Sequence, residues 1–248
     1  MTSFQLKKSP GNVSYLVCEP LEKAGFANAF STRESGDLRP VDDNRRHFGA
    51  TINLPRPIVT CHQTHSTRAH FISKENNPSA PEVDGDALAT DRADVLVGVK
   101  TADCVPILVG DPQSGIAAAI HAGWRGALGR IVEKTLARLK TQHGFNAGAA
   151  VAAVGPSACV DCYEVGPEVM HVFREEFTYG NDLLKGNYLD VPQTNVRQLI
   201  DAGLSPANIY VSQYCTMRDT KLFFSHRREG SNPQGHAVGR LLSVIGRK

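Results

Sequence analysis

The chain has 248 residues, 41% of them hydrophobic and 21% charged, and its 27 lysines and arginines against 25 aspartates and glutamates leave a formal net charge of +2. Basic pairs at 7–8, 45–46 and 227–228 are only two charges long and are not interleaved with aromatics, so no nucleic-acid footprint is visible and no nucleic-acid partner is expected. The uncharged stretch 147–160, AGAAVAAVGPSACV, is too short and too rich in glycine and alanine to span a bilayer, so a membrane is not an expected partner either.

In chain order, MTSFQLKKSP carries no apolar stretch behind its charges, so no secretory signal is expected and a cytoplasmic location is. In that compartment the cysteines at 18, 61, 104, 159, 162 and 215 are expected as thiols, ligands or nucleophiles rather than disulfides. Apolar runs predict strands over 57–62, 94–99, 104–109, 115–121, 149–154 and 207–212. Between the first two, 74–86 (KENNPSAPEVDGD) reads as a surface loop inside a domain. Helical spacing of Leu128, Ile131, Val132, Leu136 and Leu139 predicts a helix over 125–140 that stops at Gly144. A second helix is predicted over 167–177. A third starts at Asp190, which forms a capping-box pattern with Gln193. Strands and helices mix without strict alternation, which predicts an α+β fold, a single domain over 1–248 with mixed sheets flanked by helices, rather than a doubly wound parallel one.

Motifs for zinc proteases, nucleobase deaminases of the usual type, P-loops, dinucleotide sites and serine hydrolases are absent. What remains is three polar clusters at strand ends: CHQTHS at 61–66, TADC at 101–104 and HAGWRG at 121–126. Strand ends on a rigid sheet can aim side chains into one cleft. His62 and His65 face opposite ways if their segment is extended, and His65, in the following loop, is the functional candidate.

His65, Cys104 and His121 then supply two imidazoles and a thiolate, the pattern of a catalytic zinc site with an open fourth position. Two other readings stay open on the residues alone. One is a pair of core histidines with a buried cysteine. The other is metal-free chemistry, with Cys104 a nucleophile activated by His121 and Asp103 or another group orienting the ring. Because neighbouring strand residues face opposite ways, Asp103 is better placed to hold loop amides than to share the target of Cys104. The Cys159–Cys162 pair is a further source of a fourth ligand. In HAGWRG, Gly123 and Gly126 permit a tight strand-to-helix turn that Trp124 braces. Arg125 and the helix amides suit a phosphate or carboxylate there, with structural capping as the other reading of the arginine.

An ordered series of motifs is similar to one family: FSTR (30–33), NRR (44–46), QTHS (63–66), DGDAL (84–88), ADCVPILV (102–109), AAIHAGWRG (118–126), GPSACVDCYEVG (155–166), CTMRDTKLFFSHRR (215–228) and Gly239–Arg240. The chain resembles the laccase-domain, or multicopper polyphenol oxidase-like, proteins of the purine nucleoside phosphorylase and adenosine deaminase type, related to bacterial peptidoglycan editing factor. The resemblance implies zinc held by His65, Cys104 and His121, which are also the catalytic residues, and an α/β sandwich of the cytotoxic-necrotizing-factor-like cysteine hydrolase kind. It implies small-molecule substrates: phosphorolysis of adenosine, inosine and S-methyl-5'-thioadenosine, and hydrolytic deamination of adenosine. Arg125, Arg45 and Arg227 are the candidates to hold the phosphate. Two alternatives accompany it: hydrolysis of wrongly made UDP-muramyl-peptide precursors at the Cys104 or zinc centre, and a non-catalytic zinc-stabilised binding module. The chain departs from the pattern at His226, where tyrosine is common, and in the longer link SNPQGHAV. Copper oxidase chemistry is not expected, because the nine histidines include no HxH pair.

Overall fold

From Val105 to Ala122 the sequence alternates by twos: Val105, Ile107, Val109, Ile116, Ala118 and Ile120 share one side, and Leu108, Ala117 and Ala119 the other. Successive strand side chains point to opposite faces, so segments apolar on both sides become strands covered on both faces. The computed structural model describes residues 3–39, 43–73, 75, 82–230 and 238–248, apart from the side chains of 43–45, and places this pair of strands at the centre of a layered α+β architecture.

The strands are β1 (Phe4–Lys8), β2 (Ser14–Cys18), β3 (Phe26–Ser31), β4 (Ile58–Val59), β5 (Ala69–Ile72), β6 (Ala87–Thr90), β7 (Leu96–Thr101), β8 (Val105–Asp111), β9 (Ile116–Ala122), β10 (Val151–Val154), β11 (Leu184–Lys185), β12 (Tyr188–Leu189), β13 (Ile209–Val211) and β14 (Leu241–Arg247). The helices are α1 (Glu19–Lys23), α2 (Asp43–Thr51), α3 (Trp124–Leu128), α4 (Ile131–His143), α5 (Pro167–Glu176), α6 (Val191–Asp201) and α7 (His226–Glu229). One six-stranded sheet runs β1-β2-β3-β14-β7-β4 and the other β13-β10-β8-β9-β6-β5. Both are mixed: β4 with β7, β5 with β6 and β10 with β13 are parallel, and the remaining pairs antiparallel.

Three apolar layers hold these elements together. Phe26, Phe30, Val97 and Ile245 of the first sheet meet Leu88, Leu108, Ala119 and Ala153 of the second. The approach is close enough that a methyl group at Gly110 would overlap the Phe26 ring. On the far face of the second sheet, Ile107, Val109 and Ile120 pack under Ile131, Val132 and Leu136 of α4, Phe173 of α5 and Leu199 of α6. Phe48 and Ile52, on α2 and just after it, cover Leu96, Leu242 and Val244 on the outer face of the first sheet. Each such buried side chain contributes about 1.5–3 kcal/mol. No helix among the described residues is long and apolar enough to cross a membrane.

The helix expected over 125–140 is two helices. Arg130 sits between α3 and α4 in the left-handed region, φ 60°, with its guanidinium on Glu133 and Glu176. Gly129 lies so close to Thr67 that a Cβ there would be 2.6 Å from its methyl group, and the chain turns at this crowded point. The predicted ends hold elsewhere. Gly144 caps α4 at φ 71°, and Asp190 caps α6 by accepting the Gln193 N–H at 2.8 Å.

Candidate metal centre and its cleft

Cys104 immediately precedes β8 and His121 lies one residue from the end of β9. The two strands are antiparallel, with Pro106 opposite His121, so both residues arrive at the same end of the second sheet. His65 comes from the loop after β4, which an isolated bridge between His62 and Asp84 ties to the entry of β6. That loop is wrapped around one buried carboxylate. Asp86 accepts the backbone N–H groups of Thr64, His65 and Ser66 at 3.3, 3.1 and 2.6 Å and the Ser66 hydroxyl at 2.7 Å. His65 takes the left-handed conformation, φ 59°, and its ring meets that of His121 edge-on with centroids 5.0 Å apart. His62 instead pairs with Asp84 at 2.8 Å.

The same carboxylate lies 2.8 Å from Nδ1 of His121. Nδ1–H donates to it, which orients the ring and leaves Nε2 as the nitrogen available to a metal. One donor atom each from His65, Cys104 and His121 lies within 4.8 Å of the others. Ligands around a tetrahedral zinc stand about 3.3–3.8 Å apart, and Cys104 Sγ is already 3.9 Å from His65 Nε2. Two imidazoles, a thiolate and a carboxylate behind one imidazole fit zinc in donor type and in spacing.

The electrostatics agree with that donor set. Burial pushes the Cys104 thiol up, but the His121 and His65 rings outweigh it and bring it down to about 6, a thiolate at neutral pH. Burial pushes His121 down, yet Cys104 and Asp86 raise it to about 9, so without metal the ring is an imidazolium paired with the thiolate, and a bound metal would replace its Nε2 proton. Asp86 is held at about 2, its burial offset by hydrogen bonds from His121 and Ser66.

The centre opens into a cleft of about 290 Å³ lined by His65, Cys104, Trp124, Arg125, Tyr163 and Arg227, with His226 on its wall. Arg125 is exposed, its guanidinium 4.2 Å from the Trp124 ring centroid. Arg227 lies 5.0 Å from the Tyr163 ring centroid and donates to Glu164 O at 2.9 Å. Arg45 falls in α2, and its side chain lies outside the described residues. Trp124 packs against the helix-side core as well as lining the cleft. Asp103 binds loop groups: the Thr216 and Ser225 hydroxyls at 2.7 and 3.0 Å and the Arg227 N–H at 2.7 Å. The group that orients His121 is Asp86. Cys159 and Cys162 gather with Cys215 in a separate cluster rather than at the His65–Cys104–His121 centre.

Gly123 makes the approach of the loop possible, since a Cβ there would stand 2.9 Å from Cys104 Sγ and 3.1 Å from His65 Cδ2. Gly123→Ala is expected to weaken metal binding at this centre about 10-fold or more, the penalty of displacing two donors by a few tenths of an ångström. Competition with a chromogenic chelator measures it. Unchanged affinity would mean that the donors relax freely.

A family model described as multi-copper polyphenol oxidoreductase laccase matches residues 25–248. The chain belongs to that family. Adenosine deaminase RL5, from an unknown prokaryotic organism, is 38% identical over 226 residues, 84% of each chain. Purine nucleoside phosphorylase YlmD of Geobacillus stearothermophilus is 33% identical over 242 residues, 91% of this chain and 86% of the relative. Among solved structures, Bacillus licheniformis hypothetical protein YfiH superposes with a TM-score of 0.85 at 26% identity, and YlmD from G. stearothermophilus with 0.81 at 29%, each over the full length of both chains. This member of the laccase family thus shares its mixed α+β fold with YfiH and YlmD, and carries a His-Cys-His group able to bind a metal.

Proposed function

We propose that the protein is a zinc-dependent, cytoplasmic purine nucleoside enzyme, one catalytic domain over 1–248, that phosphorolyses adenosine, inosine and S-methyl-5'-thioadenosine and hydrolytically deaminates adenosine. The observation that carries this reading is the opening of the His65–Cys104–His121 centre into a cleft walled by two aromatic–arginine pairs, Trp124 with Arg125 and Tyr163 with Arg227. The names of RL5 and YlmD support the two activities. Zinc held by the three residues supplies Lewis acidity in a partly enclosed site. Asp86 holds the His121 ring by its Nδ1–H and the His65 backbone by its N–H, so the His121 ring and the loop that carries His65 are set before substrate arrives. Trp124 and Tyr163 offer flat apolar faces to a purine and exclude water. Arg125 and Arg227, with Arg45 as a third candidate, attract the phosphate through charge-assisted hydrogen bonds. His226 lines the same wall.

Incubating zinc-loaded protein with adenosine tests this. Phosphate should convert adenosine to adenine and ribose 1-phosphate, and without phosphate inosine and ammonia should form. A protein with stoichiometric zinc that yields neither pair of products refutes the reading.

One observation favours a second reading. Cys104, His121 and Asp86 form a line in which a thiolate faces a ring oriented by a carboxylate, the arrangement of an activated cysteine nucleophile. It would serve amide hydrolysis of muramyl-peptide precursors. Serine-containing and alanine-containing precursors, offered to the same preparation, separate the readings: equal inertness toward both removes the second.

A further inference from the structure

The chain holds a second concentration of metal-ligating side chains that the proposed reaction does not use. Cys159 and Cys162 lie on one tight turn, closed by the N–H groups of Cys162 and Tyr163 on the Cys159 carbonyl, both at 3.0 Å. Cys215 comes from a loop more than 50 residues away. A bridge between Ser157 and Cys215 and the Thr216 N–H on Ser157 O, 3.0 Å, carry it to the turn. The three sulfurs lie within 4.8 Å of one another, and all three are free thiols. Cys215 is buried and the other two are half-buried, so the cluster is closed on the core side and reachable from solvent.

We infer that Cys159, Cys162 and Cys215 form a second metal site, for a thiophilic d10 cation such as zinc or copper(I), that clamps the two loops behind the cleft. The donor set excludes hard cations, which need oxygen ligands. Thiolates around a tetrahedral zinc stand about 3.8 Å apart, within the spread seen here. The Cys159 N–H already donates to Cys215 Sγ at 3.4 Å, a bond that stabilises a coordinated thiolate. Three thiolates around a divalent ion leave one negative charge, and the neighbouring cation is Arg218, three residues after Cys215 with its N–H on the Cys215 carbonyl at 3.1 Å and its guanidinium shared with Asp161 at 3.9 Å. The fourth position is left to solvent.

The clamp reaches the first centre from two sides. Tyr163, next to Cys162, walls the cleft, and Thr216, next to Cys215, donates to Asp103 at 2.7 Å, beside Cys104. The inference stands on the sulfur geometry and does not depend on which substrate the cleft takes.

Full-length protein, kept reduced and stripped of metal, is titrated with Zn²⁺ and, separately, Co²⁺. Wild type should take up two zinc ions per chain. Cys104→Ser, which removes the thiolate of the first centre, should keep a strong thiolate-to-cobalt charge-transfer absorption and gain thermal stability on adding zinc. Adding Cys159→Ser and Cys162→Ser to that background should abolish both responses. Should that variant fail to fold, alkylation mapping of the Cys104→Ser protein decides, with zinc protecting Cys159, Cys162 and Cys215 together. A Cys104→Ser protein with no charge-transfer band and no protection overturns the inference.

Discussion

Cys104→Ser is expected to lower nucleoside turnover by about 10³-fold or more while leaving the folded structure in place, since a metal Lewis acid supplies several kcal/mol of transition-state stabilisation and each 1.36 kcal/mol is tenfold in rate. The substitution is nearly isosteric and the residue is only half-buried, so the cost to stability should stay within about 1 kcal/mol. His121→Ala should lose as much activity. It should also cost more stability, because it strips Asp86 of one hydrogen-bond donor in the interior. Metal analysis beside the product assay makes the test discriminating. If zinc and turnover fall together, the three residues hold a catalytic ion. If turnover falls while zinc is retained in full, Cys104 is a nucleophile instead. If thermal stability collapses and the parent shows no turnover at all, the ion only holds the fold.

The three residues were candidates before the structure because each sits in a short polar cluster attached to an apolar strand, where side chains can converge, but the residues alone left other readings open and the family resemblance singled them out as ligands. Pairing β8 with β9 then explains why 104 and 121 meet: an antiparallel hairpin returns to the end from which it started. His65 was distinguishable from His62 by parity and loop position alone. Asp86 was not assigned a role, although DGDAL was noticed as a motif. A lone aspartate at the start of a strand reads as a loop residue, and its five donors become visible only once residues 64–66 fold over it and His121 arrives from another strand. Asp103 was expected to hold loop amides by strand parity; it binds two hydroxyls and one amide of a loop, but from a left-handed bend before β8, φ 88°, rather than from a strand. The Cys159–Cys162 pair was visible, but its partner Cys215 is joined to it only by tertiary structure.

The fold shows the same division. The central strands are apolar on both faces and declare themselves. The first sheet is less legible: SYLVC and FANAFS in β2 and β3 carry polar residues that the structure satisfies internally. Asn28, for example, both accepts from and donates to the Cys18 backbone. Such pairing compensates a buried polar group and leaves no trace in a hydrophobic pattern. The helix over 125–140 was misread because its apolar spacing continues across Gly129 and Arg130, where local crowding against Thr67 sets the chain direction.

Asp86→Asn, a single-atom change, should be strongly damaging. The carboxylate is fully buried and accepts four hydrogen bonds from the 64–66 loop and one from His121. An amide turns one acceptor oxygen into an NH₂ donor, which must face either the Ser66 group or the His65 and His121 donors. Breaking such a buried charged network costs about 3–5 kcal/mol, or roughly 10 °C in Tm for a chain of this size. Zinc affinity should fall about 10- to 100-fold, because His121 loses the charged carboxylate that orients it. Acid adds a signature that packing alone would not give. Asp86 is depressed from 3.8 to about 2, so its contribution is complete above the unfolded value and is lost as pH falls through the folded one. Between about pH 4 and pH 2 the metal-free parent should therefore lose about 2 kcal/mol that the variant never had. Urea unfolding across that range measures the difference. Parallel acid limbs, or a variant that melts with the parent and binds zinc equally well, would show that Asp86 is dispensable to the centre.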